Sequence, residues 1–387
     1  MNMLILVIGG IALLYLLSSI VLLFGIRCQK VLPRMTEQPF VSVVIAARNE
    51  EKHLGRCLAA LLQSRYPADK YEILVIDDRS TDRTRQIAES FSRAYSQVRV
   101  IPVTHRLANL SGKASALCQG MARARGEMML MTDADCEVPP SWIPQMVSYF
   151  APHVGLVGGF TLLTHRHKEN SLVAKIQTLD WIYLLSVGAG AAGLGQPLSI
   201  LGNNFAFRRA AYEATGGYEA LGFSIIEDFA LMRAIHAQTP WRVIFPLDPQ
   251  TAITSAPTRN WREFYEQRQR WAAGGKEVGP LAKAFMLIAF LGHLACLVAA
   301  FAALSLAVSC FLILAGADFL LLWQSTRRLR RTDLLAVFPL FEVYYFLYSF
   351  LLAPAVLLPL TVRWKGARYR WNFKGKIKRV EEVEVGA

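Results

Sequence analysis

The stretch Glu127–Pro140, EMMLMTDADCEVPP, decides how the rest of the chain is read. Met128, Met129, Leu130 and Met131 form a short apolar run behind Gly126, a natural helix stop. Such a run predicts a strand buried on both faces. It leads into Asp133-Ala134-Asp135, two carboxylates one residue apart, and then into Pro139-Pro140, which cannot continue a strand. Where the chain leaves a strand, both carboxylates can turn toward one point at the C-terminal edge of a sheet, where open α/β sheets take their ligands. Two hard oxygen donors suit Mg²⁺ or Mn²⁺, which keep waters and take further ligands from a diphosphate. An Asp-rich turn ahead of a helix would carry the same residues, so the surrounding chain has to decide.

Toward the N-terminus the pattern repeats. VSVVIAA (Val41–Ala47) predicts a strand, and Arg48-Asn49-Glu50-Glu51 opens a helix to about Ser64 with acidic residues in its first turn. Tyr71–Ile76 predicts a second strand ending at Asp77-Asp78, and Ser80–Asp82 caps the next helix. Val98–Val103 predicts a third strand, and Gly112-Lys113 opens a helix that closes before Gly126. Strand and helix alternate, which predicts a parallel, doubly wound sheet. Beyond Pro140 come a helix at Trp142–Phe150, a strand at Val154–Phe160 and an apolar helix at Leu172–Val187 carrying Asp180, Trp181 and Tyr183. That helix is read either as a buried core helix or as one lying against a membrane or acceptor groove. Gly188–Gly195 is Gly/Ala-rich and read as mobile. Gly202-Asn203-Asn204 turns into a strand, Gly216-Gly217-Tyr218 makes another turn, and Glu227-Asp228 opens a helix.

The flanks are apolar. Of the 387 residues 53% are hydrophobic and 18% charged, which fits a membrane protein with a substantial soluble part. Met3–Phe24 is long enough to span a bilayer at roughly 1.5 Å per residue. Arg27, Lys30 and Arg34 follow it, so the positive-inside rule puts the next domain in the cytoplasm. Trp261–Trp271 mixes aromatics with Arg262, Arg268 and Arg270 as an interfacial amphipathic helix does. Leu281–Trp323 has room for two spans, with Asp318 its only acid. Leu334–Val362 is a third apolar segment broken by Pro339, Pro354 and Pro359. If it crosses fully, the basic tail lands outside, so either it is re-entrant or interfacial, or the charge rule fails there. The apolar segments carry almost no ionisable residues, which argues against an ion path. The tail ends in Glu381, Glu382 and Glu384 and is read as disordered.

The net charge of +13 could mean nucleic acid or an anionic membrane surface. Arg327, Arg328, Arg330, Arg331 and the run from Arg363 to Arg379 all lie beside apolar segments, which favours the anionic leaflet. No nucleic-acid module is visible. The six cysteines are scattered without metal or disulfide spacing and read as reduced thiols.

The polar features form an ordered set. Asp77-Asp78 sits at the sheet edge where a base or ribose would lie, Asp133 and Asp135 follow the fourth strand, and Lys113 begins a helix where phosphate is favoured. Glu227-Asp228 begins another, and Gln267, Arg270 and Trp271 add a cation and an aromatic face. Together VSVVIAARNEE, VIDDRSTDRT, GKASAL, TDADCEVPP, GNNFAF, IIEDFALM and QRQRW (Gln267–Trp271, a QxxRW pattern) resemble the membrane-embedded family 2 glycosyltransferases. That group includes ceramide glucosyltransferases, carotenoid and lipid glycosyltransferases, and synthases of poly-N-acetylglucosamine and hyaluronan. One departure is Ala46-Ala47-Arg48-Asn49, where many relatives carry Pro and Tyr.

The resemblance implies an α/β, GT-A (Rossmann-like, mostly parallel sheet) catalytic domain flanked by transmembrane helices. It divides the chain into a transmembrane anchor at 1–26, the GT-A domain at 38–255 and an interfacial QxxRW segment at 256–280. Transmembrane or re-entrant segments follow at 281–362, then a basic and acidic tail at 363–387. It implies inversion at the anomeric carbon with a UDP-linked donor. Asp228 would be the base, and Asp133 and Asp135 would hold Mg²⁺ or Mn²⁺. Glu50, Asp77, Asp78, Lys113, Asp133, Gln267, Arg270 and Trp271 would bind substrate. The expected acceptor is a hydroxyl of a membrane lipid. The alternative is a processive polysaccharide synthase, for which two or three C-terminal segments make a thin channel. The expected place is the cell inner or plasma membrane, with the catalytic domain in the cytoplasm. A scaffold without activity is disfavoured by the intact carboxylates, and a nucleotidyltransferase would not need ED or QxxRW.

Overall fold

The computed structural model describes residues 2–29, 34–110, 112–164, 171–224, 226–258, 260–274, 278–357, 361–364, 367–371 and 377–382. Lys30 and Glu384, read above as parts of a basic flank and an acidic tail, lie outside the described residues. The chain opens with helix α1 (Asn2–Cys28) and then alternates β1 (Val41–Ala47), α2 (Leu54–Leu61), β2 (Tyr71–Asp77), α3 (Thr84–Ala94), β3 (Val98–Pro102), α4 (Gly112–Met121) and β4 (Met128–Thr132). It continues through α5 (Trp142–Ser148), β5 (Val154–Gly158), β6 (Thr161–Leu163), α6 (Leu172–Gly193) and β7 (Asn204–Arg208). Then come α7 (Arg209–Ala214), α8 (Gly217–Leu221), α9 (Glu227–Gln238), β8 (Arg242–Ile244) and β9 (Ile253–Ser255). Four further helices follow, α10 (Trp261–Gly274), α11 (Pro280–Ala302), α12 (Leu304–Arg328) and α13 (Phe338–Leu357), and then strands β10 (Thr361–Trp364), β11 (Ala367–Trp371) and β12 (Ile377–Glu382).

Two compact units result. One comprises Leu22–Ala256 with Gln324–Asp333, and the other Met1–Val21, Pro257–Trp323 and Leu334–Ala387. The first is built on a seven-stranded sheet of order β3-β2-β1-β4-β7-β5-β8. β1 is central and parallel to both β2 and β4; β7 is antiparallel to β4 and β5. One reversed strand in a parallel sheet is the doubly wound arrangement the alternation predicts. Every residue of β2 and β4 is buried, which is why these strands carry apolar side chains on both faces. Beneath them Leu54, Leu58, Trp142, Ile143 and Met146 close one face of the sheet.

Two readings of this unit need correction. The helix expected from Arg48 begins only at Leu54. Asn49 adopts φ 57°, and the loop is tied to the β2–α3 loop instead of continuing as helix. Of Gly188–Gly195, read as mobile, Gly188–Ala192 is buried near the end of α6. Its lack of side chains permits close packing on α1: a Cβ on Gly25 would fall 2.0 Å from the Gly190 carbonyl oxygen, and one on Gly193 1.9 Å from that of Gly25. α6 as a whole is a core helix, with Asp180, Trp181 and Tyr183 all buried.

Among the described residues, four helices are long and apolar enough to cross a membrane: Met3–Cys28, Pro280–Ala302, Leu304–Arg328 and Thr332–Leu351. α11 and α12 are separated by Ala303 alone, in extended backbone. A core of Ile8, Ala12, Tyr15, Ala295, Ala299 and Leu314 joins α1, α11 and α12. The tail corrects the sequence reading again. Read as disordered, it holds strands that pair antiparallel in the order β10-β11-β12.

Candidate active site at the carboxyl edge of the sheet

The sheet's C-terminal edge collects most of the residues singled out by sequence. β4 ends at Thr132, and the next residues alternate: Asp133, Asp135 and Glu137 are partly exposed while Ala134, Cys136 and Val138 are buried. Both carboxylates of the DxD therefore face the open side, as their spacing predicts, and Glu137 shares that parity. Below them the backbone is pinned by Cys136 N donating to Asp133 O at 3.1 Å and by Glu137 pairing with Thr254. The Cys57 and Cys136 thiols lie under this turn. Burial pushes both pKa values up, and the charges of Asp135 and Asp133 push them further, so both are inert, protonated filler.

Lys113, in the first turn of α4, reaches across to this edge. Its Nζ donates to Asp133 Oδ1 at 2.7 Å and stands 3.5 Å from Glu227 Oε1. Burial disfavours the ammonium, but Asp133 and Glu227 outweigh it and hold the lysine charged. Glu227 and Asp228 begin α9, and both are buried. Burial raises the Asp228 carboxyl to about 7; Glu227 adds to the rise, while Lys113 and the Phe229 N–H oppose it. A carboxylate with a pKa near neutrality, held at a helix start, is equipped to take a proton. Asp228 is wedged against the turn that precedes β7, where a Cβ on Gly202 would lie 2.7 Å from Asp228 Oδ2.

One strand beyond β1, Asp77 and Asp78 end β2, both buried. Asp77 Oδ1 accepts from Ser80 N at 3.3 Å, and Asp78 Oδ1 pairs with Arg79 Nη2 at 2.9 Å. The loops after β1 and β2 are laced together. Asn49 Oδ1 accepts from Thr81 N at 2.9 Å, Glu50 N donates to Thr84 Oγ1 at 2.7 Å, and Glu51 Oε2 accepts from Arg83 N at 3.2 Å. Asn49 and Arg79 both hold φ 57°, a conformation that costs a non-glycine residue and is concentrated at ligand sites. Glu50 sits in this lacing, on the loop between the ends of β1 and β2.

Gln267, Arg270 and Trp271 lie on α10, in the other unit. There Arg268, read from the sequence as one of the cations of an interfacial helix, is fully buried. Its guanidinium stacks 4.4 Å from Trp271, 5.0 Å from Phe264 and 5.4 Å from Tyr348. The QxxRW tryptophan is thus one wall of an arginine slot within its own unit. Missed by sequence was Asn204: its Oδ1 accepts from Trp142 Nε1 at 2.9 Å, and its Nδ2 donates to Phe160 O and Thr251 O at 2.7 and 3.0 Å. Only its place in the GNNF turn hinted at such a role.

The DxD pair fits a hard divalent ion. It offers two partly exposed carboxylates at alternate positions, Asp133 and Asp135. Such a pair leaves several coordination positions to water and a diphosphate, as Mg²⁺ prefers.

A family model described as glycosyl transferase family 21 matches residues 4–377. The probable glycosyltransferase YdaM of Bacillus subtilis (strain 168) is 30% identical over 254 residues, 63% of this chain and 57% of that protein. The β-monoglucosyldiacylglycerol synthase of Synechocystis sp. is 30% identical over 249 residues, 61% of this chain and 48% of that protein. A poly-β-1,6-N-acetyl-D-glucosamine synthase of Staphylococcus epidermidis is 25% identical over 241 residues, 62% of this chain and 55% of its own length. The chain spans about half the length of these curated relatives. Among solved structures, the mannosyltransferase PcManGT from Pyrobaculum calidifontis, in complex with GDP-Man and Mn²⁺, aligns over 91% of this chain and 96% of its own, with a TM-score of 0.56 at 21% identity. That likeness shows a shared GT-A fold.

Proposed function

Because the chain belongs to glycosyl transferase family 21, within the family 2-like glycosyltransferases its motifs resemble, we propose that it is a membrane-bound, inverting hexosyltransferase. It moves a sugar from a nucleotide-linked donor to a hydroxyl of a membrane lipid. The observation that carries this reading is the meeting of Asp133, Lys113, Glu227 and Asp228 at the end of β4. The relative named a glucosyldiacylglycerol synthase supports a lipid acceptor, and we read the donor as UDP-linked.

In this mechanism Asp228 accepts the proton of the acceptor hydroxyl as its oxygen bonds to the anomeric carbon. The bond from that carbon to the diphosphate oxygen breaks on the opposite face, and the electron pair leaves with the nucleoside diphosphate. One positioned base contributes roughly a hundredfold to ten-thousandfold. Asp133 and Asp135 would hold Mg²⁺ or Mn²⁺. When bound, such an ion offsets charge growing on the leaving group. Lys113 fixes Asp133 and Glu227 and keeps this crowd of carboxylates from repelling itself apart. Asp77 or Asp78, with Glu50 on the neighbouring loop, contacts the nucleoside; the QxxRW resemblance is what assigns Gln267, Arg270 and Trp271 to the diphosphate and acceptor. Arg27 and Arg34, after an apolar α1, support an inner or plasma membrane location with the sheet domain in the cytoplasm.

The test supplies membranes containing wild type or Asp228→Asn with labelled UDP- and GDP-sugars, Mg²⁺ or Mn²⁺, and lipid extract. Label entering the organic phase with wild type alone is the expected result. Label in a large water-soluble product would instead assign a polysaccharide synthase, the second reading that the Staphylococcus epidermidis relative favours.

A further inference from the structure

The four apolar helices are not uniformly apolar where they meet. Tyr15 lies near the middle of Met3–Cys28, His293 near that of Pro280–Ala302, Asp318 near that of Leu304–Arg328, and Glu342 near that of Thr332–Leu351. All four side chains are buried, at 2%, 3%, 0% and 4% exposure respectively. The Tyr15 hydroxyl donates to Asp318, 2.7 Å from Oδ1 and 2.9 Å from Oδ2. His293 meets the Tyr15 ring edge-on at 6.1 Å and the Tyr345 ring at 5.1 Å. Its Nδ1 lies 2.7 Å from Ala289 O; a carbonyl only accepts, so Nδ1 carries a proton. Glu342 lies within electrostatic reach of Asp318, and its Oε1 is buried without a hydrogen-bond partner.

A carboxylate inside an apolar bundle is costly, and two that sense one another are costlier. The open position beside Glu342 Oε1 is an acceptor, so what belongs there is a hydrogen-bond donor or a cation. A divalent ion is a poor fit, since no group of three His, Cys, Asp or Glu side chains converges among the described residues. We propose that Tyr15, Asp318 and Glu342 form a buried site for one monovalent cation, a proton or Na⁺, at the middle of the four apolar helices. The site needs no transport to be useful: a single positive charge reconciles the two carboxylates and locks α1, α12 and α13 together. The other titratable groups beside it are His293 on α11, which meets the Tyr15 ring, and Tyr345 on α13, which meets His293.

The full chain in lipid nanodiscs, examined by infrared difference spectroscopy and thermal unfolding, tests this. An un-ionised carboxylic acid shows a carbonyl stretch that a carboxylate lacks. If the cation is a proton, that band is present at neutral pH in both choline chloride and NaCl, and Glu342→Gln or Asp318→Asn removes it. If the cation is Na⁺, exchanging choline chloride for NaCl at constant ionic strength removes the band and raises the unfolding temperature by several degrees, a shift absent from Asp318→Asn. A band that survives both substitutions belongs to another carboxyl, such as Asp228. Such a band, or no band at all, together with an unfolding temperature indifferent to Na⁺, overturns the proposal. The wild-type salt exchange decides the Na⁺ case by itself, and in the proton case either substitution suffices, so one variant that fails to assemble leaves the other to decide.

Discussion

Two groups of carboxylates organise this chain, and they are neutralised in different ways. At the sheet edge, Asp133, Glu227 and Asp228 gather around the Lys113 ammonium, with Asp133 partly open to water. In the apolar helices, Asp318 and Glu342 are sealed, and Asp318 meets a tyrosine hydroxyl. The first group has a fixed positive charge and an open side, so its remaining charge is available to an incoming ligand. The second has a neutral donor and no open side, so its charge has to be settled as the helices assemble. The same residue type is thus open to water in one place and sealed from it in the other, and the two roles proposed above rest on that difference.

The sharpest way to break this contrast is at Asp228. Asp228→Asn should lower transfer roughly a hundredfold to ten-thousandfold while donor affinity, measured by calorimetry, stays within experimental error of wild type. Loss of donor binding as well would make Asp228 part of the scaffold. Chelation should abolish transfer, and Mg²⁺ or Mn²⁺ should restore it, because two carboxylates alone cannot offset a diphosphate's charge. Gly202→Ala pushes a methyl toward Asp228 Oδ2. It should cost up to about a hundredfold in kcat through misplacement of the base, with the donor's Kd unchanged.

A subtler probe is pH. With the Asp228 carboxyl at about 7, kcat/KM should rise as pH rises through 7, since only the carboxylate accepts a proton. Stability should move the other way. The folded value lies above the unfolded one of 3.8, so the native state binds more protons between the two. The cost is absent below the lower value and complete above about 7. Asp228→Asn should therefore unfold at a higher temperature than wild type at pH 8, and the gap should close toward pH 4. In the helices the smallest change is Tyr15→Phe, which removes one hydrogen bond to a carboxylate. It should cost about 1.5–3 kcal/mol of stability, read from thermal unfolding in detergent. No loss would mean that Asp318 is satisfied without it.

The sheet was legible because its strands are short apolar runs and because a DxD after such a run has few places to point. Asp133, Asp135 and Glu137 alternate with the buried Ala134, Cys136 and Val138 through the turn that follows β4, which a strand's period alone does not dictate. Lys113 was legible as a helix-start cation, but not as the partner of Asp133, because α4 and β4 meet only in three dimensions. Gly188–Gly193 misled because small residues serve mobile loops and tight helix contacts equally, and the partner glycine, Gly25, is far away in sequence. The polar layer of Tyr15, His293, Asp318 and Glu342 was invisible for a related reason. Hydropathy reports the mean of each span and hides whether the exceptions fall at one depth. Arg268 hid behind its neighbours Arg270 and Trp271, which a motif picks out by spacing while burial picks out another residue.

The reversed strand β7 carries a consequence for how the chain is made. β4 pairs on one side with β1 and on the other with β7, in register from Met128 with Arg208 to Thr132 with Asn204. During synthesis the first four strands emerge complete, yet β4 stands as a bare edge until Asn204 follows some 70 residues later. At about 5–20 residues per second, the nascent chain waits roughly 4–14 s with the sequence MMLMT unpaired. An apolar edge invites pairing with a neighbouring ribosome's product. The charged residues that follow it, Asp133, Asp135 and Glu137, then act as gatekeepers against aggregation before they have any ligand to hold.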